Sequence, residues 1–257
     1  MIRRDRVALV IPARDEARFL PAVLAAIPDS VWRVFLVDDA SRDESAEIMR
    51  SWRDPRGECL CSPAPRGVGG AILMGYARAL ECGAGAAVVV AADGQMDLAE
   101  VARVVAPILE GRADYVQGCR FEGGRPRGAM PASRCFGNRV LTACTRWAAG
   151  REVGDSQCGF TAASAACLER LALPRIPPGY GFPAFVRLEA HRLGLRVSEV
   201  PVRAIYGQEV SGISPWRDPA AIATRIVWRG IRRRLGALAG GRGALAPPVP
   251  VRADELA

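Results

Sequence analysis

Four short groups of polar residues follow strand-like segments, and their residue types suit the binding of a nucleotide diphosphate. The groups are Arg14-Asp15-Glu16, Asp38-Asp39, Asp93-Gly94-Gln95 and Arg120. Carboxylates accept hydrogen bonds from a ribose or a base edge, and a carboxylate beside an amide oxygen can hold a hard divalent cation. Arginine can neutralise a phosphate through two parallel hydrogen bonds. Together these groups predict a site for a nucleotide, its phosphates and a cation.

Such groups need a scaffold that brings strand ends together. The sequence predicts an α/β fold with a doubly wound, mostly parallel sheet and flanking helices. Residues 7–11, 34–37 and 86–90 are short apolar runs, typical of strands buried on both faces, and residues 115–118 predict a further strand. Helical segments separate these runs, which favours parallel strand order. Ligands of such sheets bind beyond the carboxyl ends of the strands. All four polar groups lie at predicted strand ends.

Local signals predict several further elements. Ser41 and Glu44 have the spacing of a capping box that opens a helix. Residues 196–202 predict an edge strand, because Pro201 cannot donate a hydrogen bond inside a sheet. Helices are expected from about residue 17, over 71–82 and over 133–149.

Composition excludes several classes of function. All 35 basic residues are arginine, so lysine Schiff-base chemistry and a Walker-type phosphate loop are excluded, and the net charge of +8 favours an anionic partner. The eight cysteines form no Cys-x-x-Cys pair and His191 is the only histidine, which argues against a zinc finger. No apolar stretch reaches the roughly 18 residues of a membrane span. We therefore expect a cytoplasmic protein with reduced cysteines.

Six segments carry a resemblance to a known family. Residues 10–16, 37–41, 66–70 and 93–95 read Val-Ile-Pro-Ala-Arg-Asp-Glu, Val-Asp-Asp-Ala-Ser, Arg-Gly-Val-Gly-Gly and Asp-Gly-Gln. In this order they resemble the family 2 glycosyltransferases of the GT-A fold. Two later segments, Asp-Ser-Gln-Cys-Gly-Phe at 155–160 and Val-Ser-Glu-Val-Pro-Val at 197–202, are similar to the branch of dolichol- and polyprenyl-phosphate mannose or glucose synthases.

The resemblance implies a role for particular residues. Asp93 matches the last acid of the family's Asp-x-Asp motif and Gln95 the glutamine after it, so both are expected to bind Mg²⁺ or Mn²⁺. Arg120 and Arg134 stand where the family places basic residues for phosphate, and Asp155 matches an aspartate near the transfer site that is a candidate catalytic base. The residues expected to bind the nucleotide sugar are Pro12, Arg14, Glu16, Asp38, Asp39, Gly67, Gly70, Asp93, Arg120 and Arg134.

Two departures from the family pattern affect these expectations. Ala91 replaces the first acid of Asp-x-Asp, which removes one carboxylate from the expected metal ligands. The pair of carboxyl-terminal membrane helices found in some members is absent, which puts a lipid acceptor in question. Simpler roles also exist, since Asp38 and Asp39 could cap helices and Asp93-Gly94 could form an ordinary turn.

The resulting hypothesis is an inverting transferase that moves a hexose from a UDP- or GDP-sugar to a polyprenyl or dolichyl phosphate. The alternatives are a transferase acting on a non-lipid hydroxyl acceptor, for which Asp155 would be the base, and a degenerate protein that binds nucleotide without turnover. Nucleic-acid binding is not expected, because the arginine-rich carboxyl-terminal region lacks interleaved aromatic residues.

The domain organisation expected is a catalytic domain over residues 1–215, a basic, partly amphipathic helix within 216–240 and a disordered tail over 241–257. Within that helix, Val227, Ile231 and Leu235 share one face and arginines occupy the opposite one. This pattern suits a helix lying on the cytoplasmic face of an anionic membrane. Packing of the helix against its own domain is the equal alternative.

Overall fold

A computed structural model describes residues 3–122, 125–126, 130–171, 173, 176–205 and 217–238. The predicted disordered tail, 241–257, lies outside the described residues. The division between a catalytic domain and a carboxyl-terminal helix near residue 215 stays a prediction, because residues 206–216 are not described.

A seven-stranded sheet forms the centre of the fold, and it is mostly parallel. Its strands, in the spatial order β3-β2-β1-β4-β8-β5-β9, are β1 (Arg3–Ala13), β2 (Arg33–Asp38), β3 (Gly57–Cys61), β4 (Ala84–Val89), β5 (Tyr115–Cys119), β8 (Thr161–Ser164) and β9 (Val197–Pro201). A separate two-stranded hairpin comprises β6 (Phe121–Glu122) and β7 (Arg125–Pro126). The prediction of a mostly parallel sheet is confirmed, since β8 runs antiparallel to both β4 and β5 and the other pairings of this sheet are parallel.

Eight helices in the described residues cover the sheet. They are α1 (Leu20–Ala25), α2 (Ser45–Ser51), α3 (Gly67–Glu81), α4 (Val101–Leu109), α5 (Ala132–Ala149), α6 (Ala165–Arg170), α7 (Phe182–Arg192) and α8 (Arg217–Leu238), with a 3-10 turn at Leu98–Glu100 before α4. The predicted edge strand at 196–202 is confirmed, since β9 lies at the margin of the sheet.

Two apolar layers form because successive residues of a strand point to opposite faces. Leu9 and Ile11 of β1 belong to the layer that includes Val104 of α4. Val10 belongs to the opposite layer, which includes Tyr76 of α3. The apolar runs lack polar alternation because helices cover both faces of the sheet.

The predicted capping box at the start of α2 is wrong. The helix begins only at Ser45. The hydroxyl of Ser41 accepts a hydrogen bond from the backbone N–H of Asp15 instead (3.1 Å), and the Asp43 carboxylate accepts the N–H of Ser45 (2.9 Å). A long-range contact between two strand-end loops therefore takes the place of the local one.

Of the two alternatives for the carboxyl-terminal helix, packing against its own domain is observed, whereas contact of its apolar face with a membrane stays a prediction. Leu235 is 60% exposed, whereas Ile226 of α8 is fully buried. Gly230 faces α5, and a Cβ added there would lie 2.5 Å from the Trp147 ring and 3.0 Å from Ala148. The glycine permits close helix contact, so α8 packs on its own fold.

Substitution by alanine is expected to have opposite effects at two glycines inside helices. A Cβ at Gly75 of α3 would lie 2.2 Å from Cγ1 of Val10, which is stiff and completely buried in β1, whereas a Cβ at Gly137 of α5 meets nothing within 4 Å. We expect Gly75→Ala to cost about 1–3 kcal/mol of unfolding free energy through overpacking. Gly137→Ala should stabilise by about 0.5–1 kcal/mol through helix propensity. Urea denaturation of both variants checks this, and equal shifts would contradict the packing of α3 on β1.

Candidate active site

The strand order brings the chemically capable segments to one edge of the sheet. The carboxyl ends of β1, β2, β4 and β5 meet there because these strands are parallel. Because β8 is antiparallel, with Thr161 opposite both Val89 and Gln117, the segment entering it comes from the same edge. Asp155 lies in that segment. The predicted site residues from five separate stretches of chain thus share one edge.

Strained backbone marks the two loops after β1 and β2. Asp15 and Ala40 both have positive φ, at 58° and 56°, a conformation that costs free energy for a residue with a side chain. The loops are tied to each other, since the Asp15 carboxylate accepts the N–H of Arg42 (2.6 Å) and Ser45 accepts the N–H of Glu16 (2.8 Å). Arg14 at the start of this segment is exposed, and Pro12 is buried in β1 opposite Val37. The hydrogen bonds between these two loops therefore stabilise their strained backbone conformations.

The two aspartates at the end of β2 have different surroundings, although both are buried. Asp39 accepts the backbone N–H groups of Arg66 (2.6 Å) and Gly67 (2.9 Å), and so caps the amino terminus of α3. Asp38 accepts the N–H of Ser41 (3.2 Å) and is 4% exposed. The capping role considered for this pair is observed for Asp39. A nucleotide-binding role for either residue stays a prediction.

The glycines at the start of α3 also serve the fold. Gly67 has a φ of 76°, which favours glycine, and the N–H of Gly69 donates to the carbonyl of Pro178 (2.7 Å). A Cβ at Gly70 would lie 2.5 Å from Cβ of Arg66. These glycines allow the tight helix start that Asp39 caps, and direct contact of Gly67 and Gly70 with a nucleotide remains a prediction.

Glu16 and Asp93 lie close enough to repel each other. Burial is the main cause that raises the pKa of Glu16 to about 7, and the charges of Asp93, Asp43 and Asp15 raise it further. Carboxylates from the segments after β1 and β4 therefore share one region of negative charge. Such a region favours a cation, which would relieve the repulsion.

The segment after β4 forms a turn that presents an amide oxygen. Asp93 Oδ1 accepts the N–H of Gln95 (3.0 Å) around Gly94, whose φ is 72°. The side-chain oxygen of Gln95 accepts from Nη1 of Arg134 on α5 (3.4 Å). The structure thus brings a predicted metal ligand into contact with a predicted phosphate-binding arginine, although they are far apart in sequence.

Arg120 and Asp155 form a deeply placed ion pair at this edge. Nε of Arg120 donates to Oδ2 of Asp155 (2.7 Å) and Nη2 donates to Oδ1 (3.0 Å). The same carboxylate also accepts the backbone N–H groups of Arg120 (3.2 Å) and Gln157 (3.1 Å). Asp155 is fully buried and the Arg120 side chain is 16% exposed. Asp155 is arranged to orient Arg120, and a role as general base stays a prediction that would require this pairing to loosen.

Comparison with known proteins shows the family of this chain. Residues 8–166, more than half of the chain, match the family described as glycosyl transferase family 2. The chain belongs to glycosyl transferase family 2. It is a glycosyltransferase, and the alternative of a protein without turnover is not supported.

Two relatives with named activities are similar over most of their length. Undecaprenyl-phosphate mannosyltransferase of Micrococcus luteus is 30% identical over 90% of this chain and 99% of its own. UDP-N-acetylglucosamine–dolichyl-phosphate N-acetylglucosaminyltransferase of Methanococcus voltae is 28% identical over 78% of this chain and 86% of its own. Within the described part of the family 2 chain, no helix has the length and apolar character needed to cross a bilayer.

Solved structures confirm the GT-A fold. Glucosyl-3-phosphoglycerate synthase from Mycobacterium tuberculosis, in complex with UDP, superposes with a TM-score of 0.63 at 21% identity and covers 89% of this chain and 80% of its own. The same enzyme with Mn²⁺, UDP and phosphoglyceric acid gives a TM-score of 0.63 at 18% identity, covering 89% and 78%.

The residues of this family 2 site fit a cation that the substrate itself helps to hold. Across the described ranges, no cluster of three or more histidine, cysteine or acidic side chains forms a complete metal site. Asp93 and Gln95 offer hard oxygen ligands, and Mg²⁺ is commonly held by one or two carboxylates together with substrate phosphates. The donor set therefore suits Mg²⁺ or Mn²⁺ bound jointly with a diphosphate, despite Ala91.

Three residues of this edge were assigned no role from sequence. Gln117 lies within β5, Glu199 within β9 and Arg187 on α7, and they support the segment that carries Asp155. For Gln117 and Glu199 the available signal was a polar or charged residue inside a predicted strand, whereas no pattern identified Arg187. That signal identifies an unusual residue but not its contacts.

Proposed function

We propose that this glycosyltransferase moves a hexose from a UDP- or GDP-sugar to a polyprenyl phosphate, with inversion at the anomeric carbon. An acceptor phosphate oxygen forms the new bond to that carbon, and the bond to the nucleoside diphosphate breaks on the opposite side. A phosphate is already an anion, so the reaction needs no strong general base. A cation held by Asp93 and Gln95 would stabilise the departing diphosphate.

The observation that carries this proposal is the arrangement of two arginines beside the carboxylates. Arg120 is oriented by a buried carboxylate, and Arg134 contacts Gln95 beside Asp93. A donor diphosphate and an acceptor phosphate are both anionic, so bringing them together requires neutralisation from fixed cations. Arg134 supplies that positive charge next to the predicted cation site, and Arg120 supplies it at the end of β5 on the same edge. The names of the relatives favour a polyprenyl phosphate acceptor.

The surface of α5 supports an acceptor presented at a membrane. Phe136 (71% exposed) and Val140 (43%) lie one turn apart on one face of the helix. That face begins two residues beyond Arg134. We propose that the protein binds peripherally to the cytoplasmic face of the membrane along this face, which would bring a lipid phosphate towards the arginines.

Paired acceptors test the proposed function. The protein with Mn²⁺ and radiolabelled UDP-glucose, UDP-N-acetylglucosamine or GDP-mannose is incubated with vesicles containing either undecaprenyl phosphate or undecaprenol. We expect one donor to label undecaprenyl phosphate and none to label undecaprenol, because only the phosphate provides the anionic nucleophile. Labelling of undecaprenol, or of a soluble hydroxyl acceptor while undecaprenyl phosphate stays unlabelled, would overturn the lipid-phosphate assignment.

A further inference from the structure

The segment that carries Asp155, residues 152–158, is held by side chains from three separate elements, and we call it the Asp155 loop. Glu199 of β9 accepts the backbone N–H groups of Gly154 (2.9 Å) and Asp155 (3.3 Å). Gln117 of β5 donates from its amide to the carbonyls of Ser156 (3.1 Å) and Cys158 (3.0 Å). The loop lacks regular secondary structure, so these contacts determine its conformation.

A buried arginine connects the two strand residues. Arg187 of α7 is 3% exposed, and its Nη1 donates to Glu199 (2.6 Å) and to the side-chain oxygen of Gln117 (3.2 Å). Gln117 and Glu199 are direct neighbours in the register of β5 and β9, so a single guanidinium reaches both. Nη2 of Arg187 also contacts the carbonyl of Glu152 (3.4 Å) at the start of the loop. We refer to Arg187, Gln117 and Glu199 as the clamp.

Close packing leaves the clamped loop little freedom. A Cβ added at Gly154 would lie 2.8 Å from Sγ of Cys119 and 2.9 Å from a carboxylate oxygen of Glu199. The N–H of Ser156 donates to Thr142 of α5 (3.1 Å). A loop fixed this tightly transmits a small displacement of its anchors to the side chains that it presents.

The clamp is costly for stability, which suggests a role in function. Burying a charged pair removes favourable hydration, and well-packed apolar residues often serve stability as well or better. Nε of Arg187 is buried and makes no hydrogen bond to any described residue, so the guanidinium is not fully satisfied. In these positions the charged side chains of Arg187 and Glu199 fix the backbone of the Asp155 loop.

We infer that Arg187 and Glu199 are positioning residues for phosphoryl recognition, acting through the Asp155 loop on Arg120. Glu199 fixes the backbone of Asp155, the Asp155 carboxylate fixes the guanidinium of Arg120, and Arg120 meets a phosphate of the substrates. This inference rests on the proposed function for the identity of the phosphate. The contacts between the clamp and the loop do not depend on that identity.

A double variant tests the inference without leaving an unpaired buried charge. Arg187→Met combined with Glu199→Leu removes both charges and keeps similar side-chain volumes. The matched control is Arg192→Met combined with Glu189→Leu, which removes an ion pair between two partly buried side chains of α7 (35% and 14% exposed). Val186→Ala, at a buried apolar position of the same helix, controls for loss of stability alone.

Two readouts separate positioning from general destabilisation. Hydrogen exchange of the Gly154 and Asp155 amides should accelerate in the clamp variant and not in the controls, because only that variant loses their acceptor. Transfer to undecaprenyl phosphate should fall by about 10- to 100-fold through kcat and the acceptor KM.

The outcomes show separately whether the clamp holds the Asp155 loop, whether it acts on Arg120, and whether the proposed function is correct. Unchanged exchange at Gly154 and Asp155 would overturn the clamp, and faster exchange with transfer equal to that of both controls would overturn its action on Arg120. If the wild-type protein transfers no sugar to any polyprenyl phosphate, the proposed function fails by itself. The effect of the clamp on Arg120 is then measured by the binding of inorganic pyrophosphate. The clamp variant should bind pyrophosphate more weakly than the controls, and equal binding would overturn the action of the clamp on Arg120.

Discussion

Replacing Arg120 with lysine is expected to lower the rate of sugar transfer by about 100-fold while the protein remains folded. Lysine keeps the positive charge beside buried Asp155 but loses the planar fork that makes two parallel hydrogen bonds. A compact ammonium group cannot satisfy both carboxylate oxygens and a substrate phosphate in the same geometry. Steady-state kinetics with saturating donor and varied acceptor, together with thermal unfolding, would measure the effect.

The chain contains a matched control for this substitution. Arg196 pairs with Asp114 through the same set of contacts, namely the backbone N–H (2.8 Å), Nε (3.0 Å) and Nη2 (2.7 Å). Asp114 precedes β5, so this pair lies at the opposite edge of the sheet. Arg196→Lys should leave transfer unchanged within about twofold, because surface ion pairs contribute little and this pair is remote from the site.

The same comparison tests Asp155 as a general base. If Asp155 removes a proton from a hydroxyl acceptor, its weaker pairing with the substituted lysine would free the Asp155 carboxylate oxygens for that role. The rate of sugar transfer by Arg120→Lys would then match that by Arg196→Lys. A large loss confined to Arg120→Lys instead supports orientation of Arg120 as the function of Asp155.

Asp93→Asn is expected to reduce Mn²⁺-dependent transfer by about 100- to 1,000-fold, the second large effect. The substitution removes the carboxylate charge next to Gln95, in a segment where Ala91 already supplies no side-chain ligand. The wild-type protein should bind UDP or GDP more tightly with Mn²⁺ than without it, and calorimetric titration of the variant should show a reduced difference.

Asp97→Asn is the control for this second prediction. Asp97 caps the 3-10 turn before α4 by accepting the N–H of Ala99 (3.0 Å), and asparagine caps helices as well as aspartate does. Asp97→Asn makes the same change in charge as Asp93→Asn, four residues further along the chain. Its Mn²⁺ dependence should therefore equal that of the wild type. Equal loss in both variants, or none in Asp93→Asn, would contradict the assignment of Asp93 to the cation.

Much of the fold could be predicted from the sequence because its strands are buried on both faces. The apolar runs of β1, β2 and β4 are continuous, and Pro201 correctly indicated an edge strand. The antiparallel β8, Thr161–Ser164, was not predicted, because its four small residues lack the length and apolar character that identified the others. Its position depends on pairing with β4 and β5, which no local pattern encodes.

The positions of the site residues were easier to predict than their contacts. Strand ends meet at one edge in any parallel sheet, so Glu16, Asp93 and Arg120 could be grouped from topology. The capping of α3 by Asp39 and the pairing of Asp155 with Arg120 join residues that are 27 to 35 positions apart. Such partners depend on how loops pack against one another, and a single sequence contains no periodic signal for that.

We expect one edge of the sheet to hold a nucleoside diphosphate and its cation. A crystal structure of this chain with UDP or GDP and Mn²⁺ tests it most directly. We expect the diphosphate beside the ends of β1, β2 and β4, with anomalous scattering from Mn²⁺ within coordination distance of Asp93. Nucleotide bound away from this edge, or Mn²⁺ on the diphosphate without contact to Asp93 or Gln95, would contradict the account.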